Sequence, residues 1–216
     1  LKKLYKDIRL ELDHWQDKLT KDSSKKERAE ILGIRAASEK RIGNLCLRQN
    51  NHKDASKAYQ NSCNFYKQAI MADPTNHWVI TQYLSMRAVL LNTNIEAEQL
   101  KSKLSHWWIA VKQTALWQYN SATSTEKVWA LATQAEQELL GSTFDEHYDR
   151  NKTKKEIKRL CQELVDTVEL TDLGPFPIFS TCRQFKRYRD DWSSGDPTYR
   201  KEWAILAKAA LDILAK

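Results

Sequence analysis

Helix starts are written into this chain at short intervals, and that punctuation limits what it can fold into. Ser24-x-x-Glu27, Thr93-x-x-Glu96, Thr123-x-x-Glu126 and Thr153-x-x-Glu156 all have the form of a capping box. In such a box the hydroxyl and the carboxylate satisfy backbone N–H groups that a first helical turn leaves unpaired. Asp73-Pro74 and Asp196-Pro197 each set an N-cap residue before a proline suited to the first helical position. The 216 residues include only 5 Gly and 4 Pro. A β-sandwich or barrel consumes turn residues faster than that. The chain is therefore expected to be all-α, with long helices and few loops.

Periodicity supplies the helix bodies. Leu1, Leu4, Tyr5, Ile8, Leu12, Trp15 and Leu19 fall at three- and four-residue steps and make one apolar stripe. A second helix is expected from about Lys25 to Gln49, with Ile31, Ile34, Ile42, Leu45 and Cys46 inward. A third runs from Asp54 to before Pro74, a fourth from Trp78 to Leu91, and a long fifth from Ile95 to Tyr119. The sixth, Glu126 to Leu140, is expected to stop at Gly141, a natural residue just past a helix end. Lys154 to Leu170, Phe179 to Trp192 and Pro197 to Leu214 complete the set. Leu173-Gly174-Pro175-Phe176-Pro177 reads as a rigid linker between an array over 1–172 and capping helices over 178–216.

Several chemistries have no footing in these residues. Charged residues are 29% and hydrophobic residues 41%, a balance that opposes disorder. No apolar run approaches the ~18 residues of a membrane span, so no membrane partner is expected. The first residues read as amphipathic helix rather than as a signal peptide, and the missing initiator Met suggests a piece of a larger chain. Cys46, Cys63, Cys161 and Cys182 form no C-x-x-C pair and read as reduced thiols of a cytoplasmic protein. Gly-rich phosphate loops, H-E-x-x-H and G-x-S-x-G are absent, and no two of the five histidines are four residues apart. No catalytic residue, metal or cofactor is therefore expected. Cys182 has two readings, a nucleophile or a buried structural thiol, and the want of a neighbouring histidine favours the second.

The formal net charge of +7 is unevenly spread. Residues 1–60 hold 15 basic and 9 acidic side chains, residues 61–149 hold 6 and 9, and residues 150–216 hold 14 and 10. The sharpest cluster is Arg183, Lys186, Arg187 and Arg189, of which Arg183, Lys186 and Arg187 share a helix face opposite Phe185, Tyr188 and Trp192. It reads as a solvated helix face, an acidic-protein contact or a phosphate contact. Trp107 and Trp108 are adjacent and point about 100° apart on a helix, so one of them should lie at an edge. Trp15, Trp107, Trp117, Trp129 and Trp203 fall on apolar stripes, where packing is the ordinary role.

Gly43, Cys46, Asn50, Ala55, Tyr59 and Ser62 stand at relative positions 8, 11, 15, 20, 24 and 27 of a helical hairpin. This spacing resembles the tetratricopeptide repeat. A second copy can be set on Ser85, Ala88, Asn92 and Ala97, departing at Lys101 where an aromatic is expected. A third opens at Trp129-Ala-Leu-Ala-Thr-Gln-Ala-Glu136. Asn50 stands where glycine is usual and Ser62 where alanine is usual. With Ala55-x-x-x-Tyr59, Asp73-Pro74-Thr-Asn-His-Trp78 and Trp129-Ala-Leu-Ala-Thr, the chain is similar to the TRAFs-binding region of the apoptosis-signal-regulating kinases. It is similar also to bacterial helical-repeat modules joined to effectors such as CHAT proteases.

The resemblance implies a solenoid of about nine helices in antiparallel hairpins. It implies that Gly43, Ala55, Tyr59, Ser62, Ala97 and Trp129 pack the repeats. It also implies a concave groove lined by Lys40 and Asn44, by Gln82 and Met86, and by Lys127, Gln134 and Gln137. Such a lining suits an acidic or C-terminal protein segment, or an effector domain of the same parent chain. The expected function is a non-enzymatic interaction or regulatory scaffold, with a basic nucleic-acid-binding repeat as the alternative.

Overall fold

The structure is a computed structural model that describes residues 2–17, 23–91, 95–171, 173–194 and 198–215. Among these residues there are nine α-helices and no strand. Helices follow one another in sequential antiparallel contacts of the stacked-hairpin kind. The chain divides into two compact units, 1–90 and 91–216.

The first unit holds α1 (Lys2–Asp17), α2 (Lys25–Arg48), α3 (His52–Ala72) and α4 (His77–Leu90). Its centre is the α2–α3 hairpin, onto which α4 packs through α3. The side of α2 that meets its neighbours is built of small residues. A Cβ on Gly43 would lie 2.6 Å from Tyr59 Cδ1, and one on Gly33 would lie 2.7 Å from Trp78 Cζ3. Ala29 and Ala36 are wholly buried, and Ser62 Oγ donates to the Ala36 carbonyl at 2.8 Å. This corrects the expected inward set, because Ile34 and Leu45 are exposed. Ile34 lies one residue, about 100°, past Gly33, and Leu45 two residues, about 200°, past Gly43, so the close approach at each glycine turns them outward. The expected stripe on α1 is also only partly used: Tyr5 is buried, whereas Leu4 and Trp15 are exposed. Polar clasps fasten α1 instead. Arg9 gives Nε and Nη2 to Glu39 at 2.5 and 2.8 Å, and Arg35 pairs with Asp13 and Gln16.

The second unit holds α5 (Ile95–Ser121), α6 (Ser124–Phe144), α7 (Arg150–Glu169), α8 (Phe176–Lys186) and α9 (Tyr199–Leu214). Helix α8 continues as a π-helical turn over Arg187–Asp191. Helices α5, α6 and α7 pack in chain order, and α9 returns across α7, α8 and α6. Trp203, Tyr188 and Phe185 are fully buried there, with Trp192 edge-on to Tyr188 at 5.0 Å between ring centroids.

The start signals meet different fates. Ser24 and Glu27 form the complete reciprocal box. Thr123 caps α6 by position but makes no side-chain bond to the first turn. Thr153 lies inside α7, because Asp149 starts that helix one turn earlier by accepting from the Lys152 N–H at 2.9 Å. Asp73 ends α3, and Asn76 starts α4 by accepting from the Val79 N–H at 3.1 Å. Thr93 and Asp196-Pro197 lie outside the described residues. Gly141 does not end α6, which runs on to Phe144. A Cβ there would come within 3.3 Å of Trp108, so the glycine serves the α5–α6 approach. Asn50 holds φ of 58° between α2 and α3, a left-handed conformation that asparagine tolerates better than most residues.

Candidate functional site

The residues expected to line a groove are mostly used up inside the helix packing. In the first unit Lys40 is 4% exposed, and its ammonium donates to the Gln82 side chain, which is itself buried. The Lys40 ammonium also stands 5.8 Å from the Tyr66 ring centroid. Asn44 is buried and accepts from the Tyr59 hydroxyl at 2.7 Å, and Met86 is fully enclosed. In the second unit Gln137 is buried, its side-chain amide donating to the Val111 carbonyl at 3.3 Å while its backbone carbonyl accepts from Trp108 Nε1 at 2.8 Å. Gln134 is half-buried and reaches the Ala115 carbonyl, and Lys127 is half-buried near the Tyr119 ring. Side chains at helix-hairpin contact positions have neighbours on both flanks, and that is why these polar groups found partners within the protein.

Ala55, Tyr59 and Ser62 are buried, and Gly43 lies under the Tyr59 ring. Trp129 is half-buried and edge-on to Phe176 at 6.1 Å. Ala97 falls outside the described side chains. Of the tryptophans, Trp203 and Trp108 are core, Trp107 is at an edge, and Trp117 is 70% exposed. Trp117 lies two residues past buried Ala115, about 200° around the helix, and so faces away from α6.

The C-terminal basic cluster is spread, and only part of it is engaged within the protein. Arg183 and Lys186 are exposed. Arg187 is half-buried and donates to Gln184 Oε1 at 2.6 Å, and Arg189 pairs with Asp190 at 2.6 Å. The π-helical turn that carries Arg187 and Arg189 takes them off the face of a regular helix.

Nucleophilic chemistry finds little support in the thiols. Cys182 is buried and its Sγ donates to the Leu214 carbonyl at 3.4 Å; burial raises its pKa and the Lys186 charge opposes this. Burial pushes the Cys161 thiol up to about 12 and the Cys63 thiol up to about 11. Among the described residues no group of three His, Cys, Asp or Glu is gathered to hold a metal ion. Among them, too, no helix is long and apolar enough to cross a membrane.

Two surfaces stand out that residue-by-residue expectation missed. The first is charge. Residues 1–90 hold 17 Lys and Arg against 10 Asp and Glu, whereas residues 91–216 hold 18 of each. The whole formal excess of +7 thus belongs to the first unit. On α3, Lys53, Lys57, Gln60, Asn64, Lys67 and Met71 are all exposed and succeed one another at steps of three and four. They form one straight stripe without a carboxylate. The only acid on α3 is Asp54, which is bonded back to Asn51 at the helix start. The signal was present in the sequence as lysines at helical spacing, but it was hidden by averaging charge over long segments.

The second surface is the outward side of α5, where Ile109, Leu116 and Trp117 are 54%, 44% and 70% exposed. From Ser105 to Ser121 the only formal charge is Lys112, which turns inward to Glu138 at 2.7 Å and over the Trp108 ring at 4.7 Å. No family model, curated protein or solved structure matches the chain.

Proposed function

We propose that this protein is a non-enzymatic interaction module, a scaffold or regulatory part of a larger chain, whose first unit docks an acidic protein segment on the outer stripe of α3. The observation that carries the reading is that stripe: three lysines, two neutral amides and no carboxylate, on the unit that holds the entire positive excess. None of the three lysines is in an ion pair among the described residues. From Lys53 to Lys67 the stripe spans about 21 Å at the ordinary helical rise. Carboxylates spaced along an acidic helix match it, and the amides of Gln60 and Asn64 donate between the charges. The hairpin packing of Gly43 against Tyr59 supports the likeness to tetratricopeptide repeats, which serve as docking platforms.

A nucleic acid is the less favoured anion. The stripe offers lysine point charges rather than the planar fork of arginine, and no aromatic lies along it for base stacking.

Fluorescence anisotropy of a labelled Glu/Ala peptide with Glu every three to four residues tests the reading, with a 20-nucleotide single-stranded RNA as the second arm. The expected result is peptide binding that weakens with salt and falls at least tenfold in the Lys53→Glu/Lys57→Glu protein. Tighter RNA binding, lost in the same variant, transfers the stripe to the nucleic-acid reading. Binding that ignores the double substitution removes α3 as the surface.

A further inference from the structure

The turn from α7 into α8 holds an aromatic in the open. Gly174 has φ of 62°, Pro175 precedes the helix, and Pro177 lies in its first turn. Phe176, set between two prolines, has little backbone freedom. Trp129 meets its ring edge-on at 6.1 Å between centroids, yet Phe176 stays 59% exposed. Phe179 is 61% exposed, and its N–H donates to the Pro175 carbonyl at 3.0 Å. Arg183 and Lys186 are exposed as well. Steps of three, four and three residues put these four side chains on one side of α8, away from buried Thr181 and Phe185. The stripe is sorted along its length, aromatic at the N-terminal end and cationic at the other. No acidic residue occurs on α8, and neither Arg183 nor Lys186 is in an ion pair among the described residues.

We propose that this side of α8 docks an acidic amphipathic helix of another protein, one with two apolar residues at one end of its contact stripe and two carboxylates at the other.

Charge complementarity selects that occupant. Two cations on a stripe without a carboxylate call for acids opposite them, and the two phenylalanines call for apolar side chains. A ring already held by Trp129 and two prolines loses little freedom on binding, a cost that otherwise weakens a short contact. From Phe176 to Lys186 the stripe is about 15 Å long, close to three turns of a facing helix. A lipid surface matches it less well. Polybasic lipid sites gather roughly four to eight cations, and at the end of α7 the exposed Glu169 stands beside Leu170. A nucleic-acid strand repeats base and phosphate at every nucleotide, so it calls for aromatics and cations interleaved rather than sorted. The stripe belongs to the second unit, and the inference does not depend on the lysines of α3.

Fluorescence anisotropy of the whole chain with a labelled helical peptide tests it. The peptide carries Leu, Leu, Glu and Glu at steps of three, four and three on an Ala/Gln background. Saturable binding is expected, with a dissociation constant on the order of 100 µM for so small a contact. Phe179→Ala and the Arg183→Glu/Lys186→Glu protein, all changed at exposed positions, should each bind at least fivefold more weakly with unchanged far-ultraviolet circular dichroism. The charge-reversed protein should regain binding when Lys replaces both Glu of the peptide. The Lys53→Glu/Lys57→Glu protein should bind the first peptide as the unaltered chain does; loss there would place the peptide on α3 and overturn the proposal. No saturable binding up to about ten times the expected constant overturns it, as does binding that Phe179→Ala leaves intact or a charge reversal that the Lys peptide does not rescue. Mixed phosphatidylcholine–phosphatidylserine vesicles, single-stranded RNA or a second copy of the chain overturn it too, if any of them binds more tightly than the peptide and needs Phe179 to do so.

Discussion

Tyr59 lies against Gly43, with its hydroxyl donating to Asn44 one residue along, so a single aromatic fixes both the spacing and the register of the α2–α3 hairpin. The ring occupies the space that a Cβ on residue 43 would need: Cδ1 would be 2.6 Å away and Cε1 closer still. Neither helix backbone can yield without disturbing Ser62 on Ala36. Gly43→Ala is therefore expected to cost about 1–3 kcal/mol by overpacking, despite the better helix propensity of alanine. Tyr59→Phe keeps the ring and removes one buried hydrogen bond, at about 1 kcal/mol. Urea denaturation of both variants checks the order, and an alanine at 43 that raises stability would contradict it.

In the second unit Glu136 takes an equivalent position for α6, α8 and the π-helical turn. Its Oε1 accepts from Gln184 Nε2 at 2.7 Å and from the Tyr188 hydroxyl at 2.8 Å, and all three residues are buried. Glu136→Ala takes that shared acceptor from two buried donors and is expected to cost about 2–4 kcal/mol. Glu136→Gln retains an oxygen acceptor and should lose less. Thermal denaturation that ranks the two variants equal would show that the acceptor is not what matters.

These two clusters show how far the amino-acid sequence could be read. Helix existence followed from hydrophobic period and caps, and the Ser24–Glu27 box formed in full. Boundaries failed where two capping residues competed. Asp149 displaced Thr153 because the apolar residues Ile157, Leu160 and Leu164 leave room for one more turn before them. Inward-facing assignments failed where a small residue drew a neighbour close: Gly33 and Gly43 outrank Ile34 and Leu45 because the approaching Trp78 and Tyr59 bury more surface than either aliphatic side chain could. The expected groove was illegible for a related reason. Lys40, Asn44 and Gln82 are polar by type, but nothing in their spacing reveals that each has a polar partner across the packing interface. The α3 and α5 surfaces required knowledge of which side of each helix the core takes.

Helix α1 gives a prediction about local stability. Glu39 is 3% exposed, and it is held by both Arg9 nitrogens and by Asn61 Nδ2 at 3.3 Å. Arg9→Ala leaves this carboxylate with only part of its set. Because Leu4, Leu10 and Trp15 are exposed, little apolar burial remains to hold α1. Amide hydrogen exchange over residues 3–17 should accelerate at least tenfold, while α2 and α3 keep their protection. Equal acceleration through α2 would mean that α1 docking and the hairpin form one cooperative unit.

The buried thiols fix an alkaline limit. Cys161 is pushed up to about 12 and Cys63 to about 11, in each case first by burial, and Tyr199 is likewise raised to about 12. For an acid whose folded pKa is raised, the native state holds its proton longer than the unfolded chain does. The unfolded state then binds fewer protons, and stability falls as pH rises. The contribution is whole below the ordinary thiol value near 9 and is lost as pH climbs from there through 11 to 12. Stability by urea denaturation should therefore stay level from pH 7 to about 8.5 and decline above pH 9. The same burial keeps Cys63 and Cys161 from reacting as thiolates, so at pH 8 dithionitrobenzoate should modify them only at the rate of unfolding. Fast native-state labelling of either cysteine, located by peptide mapping, would mean that their helices open far more readily than their burial implies.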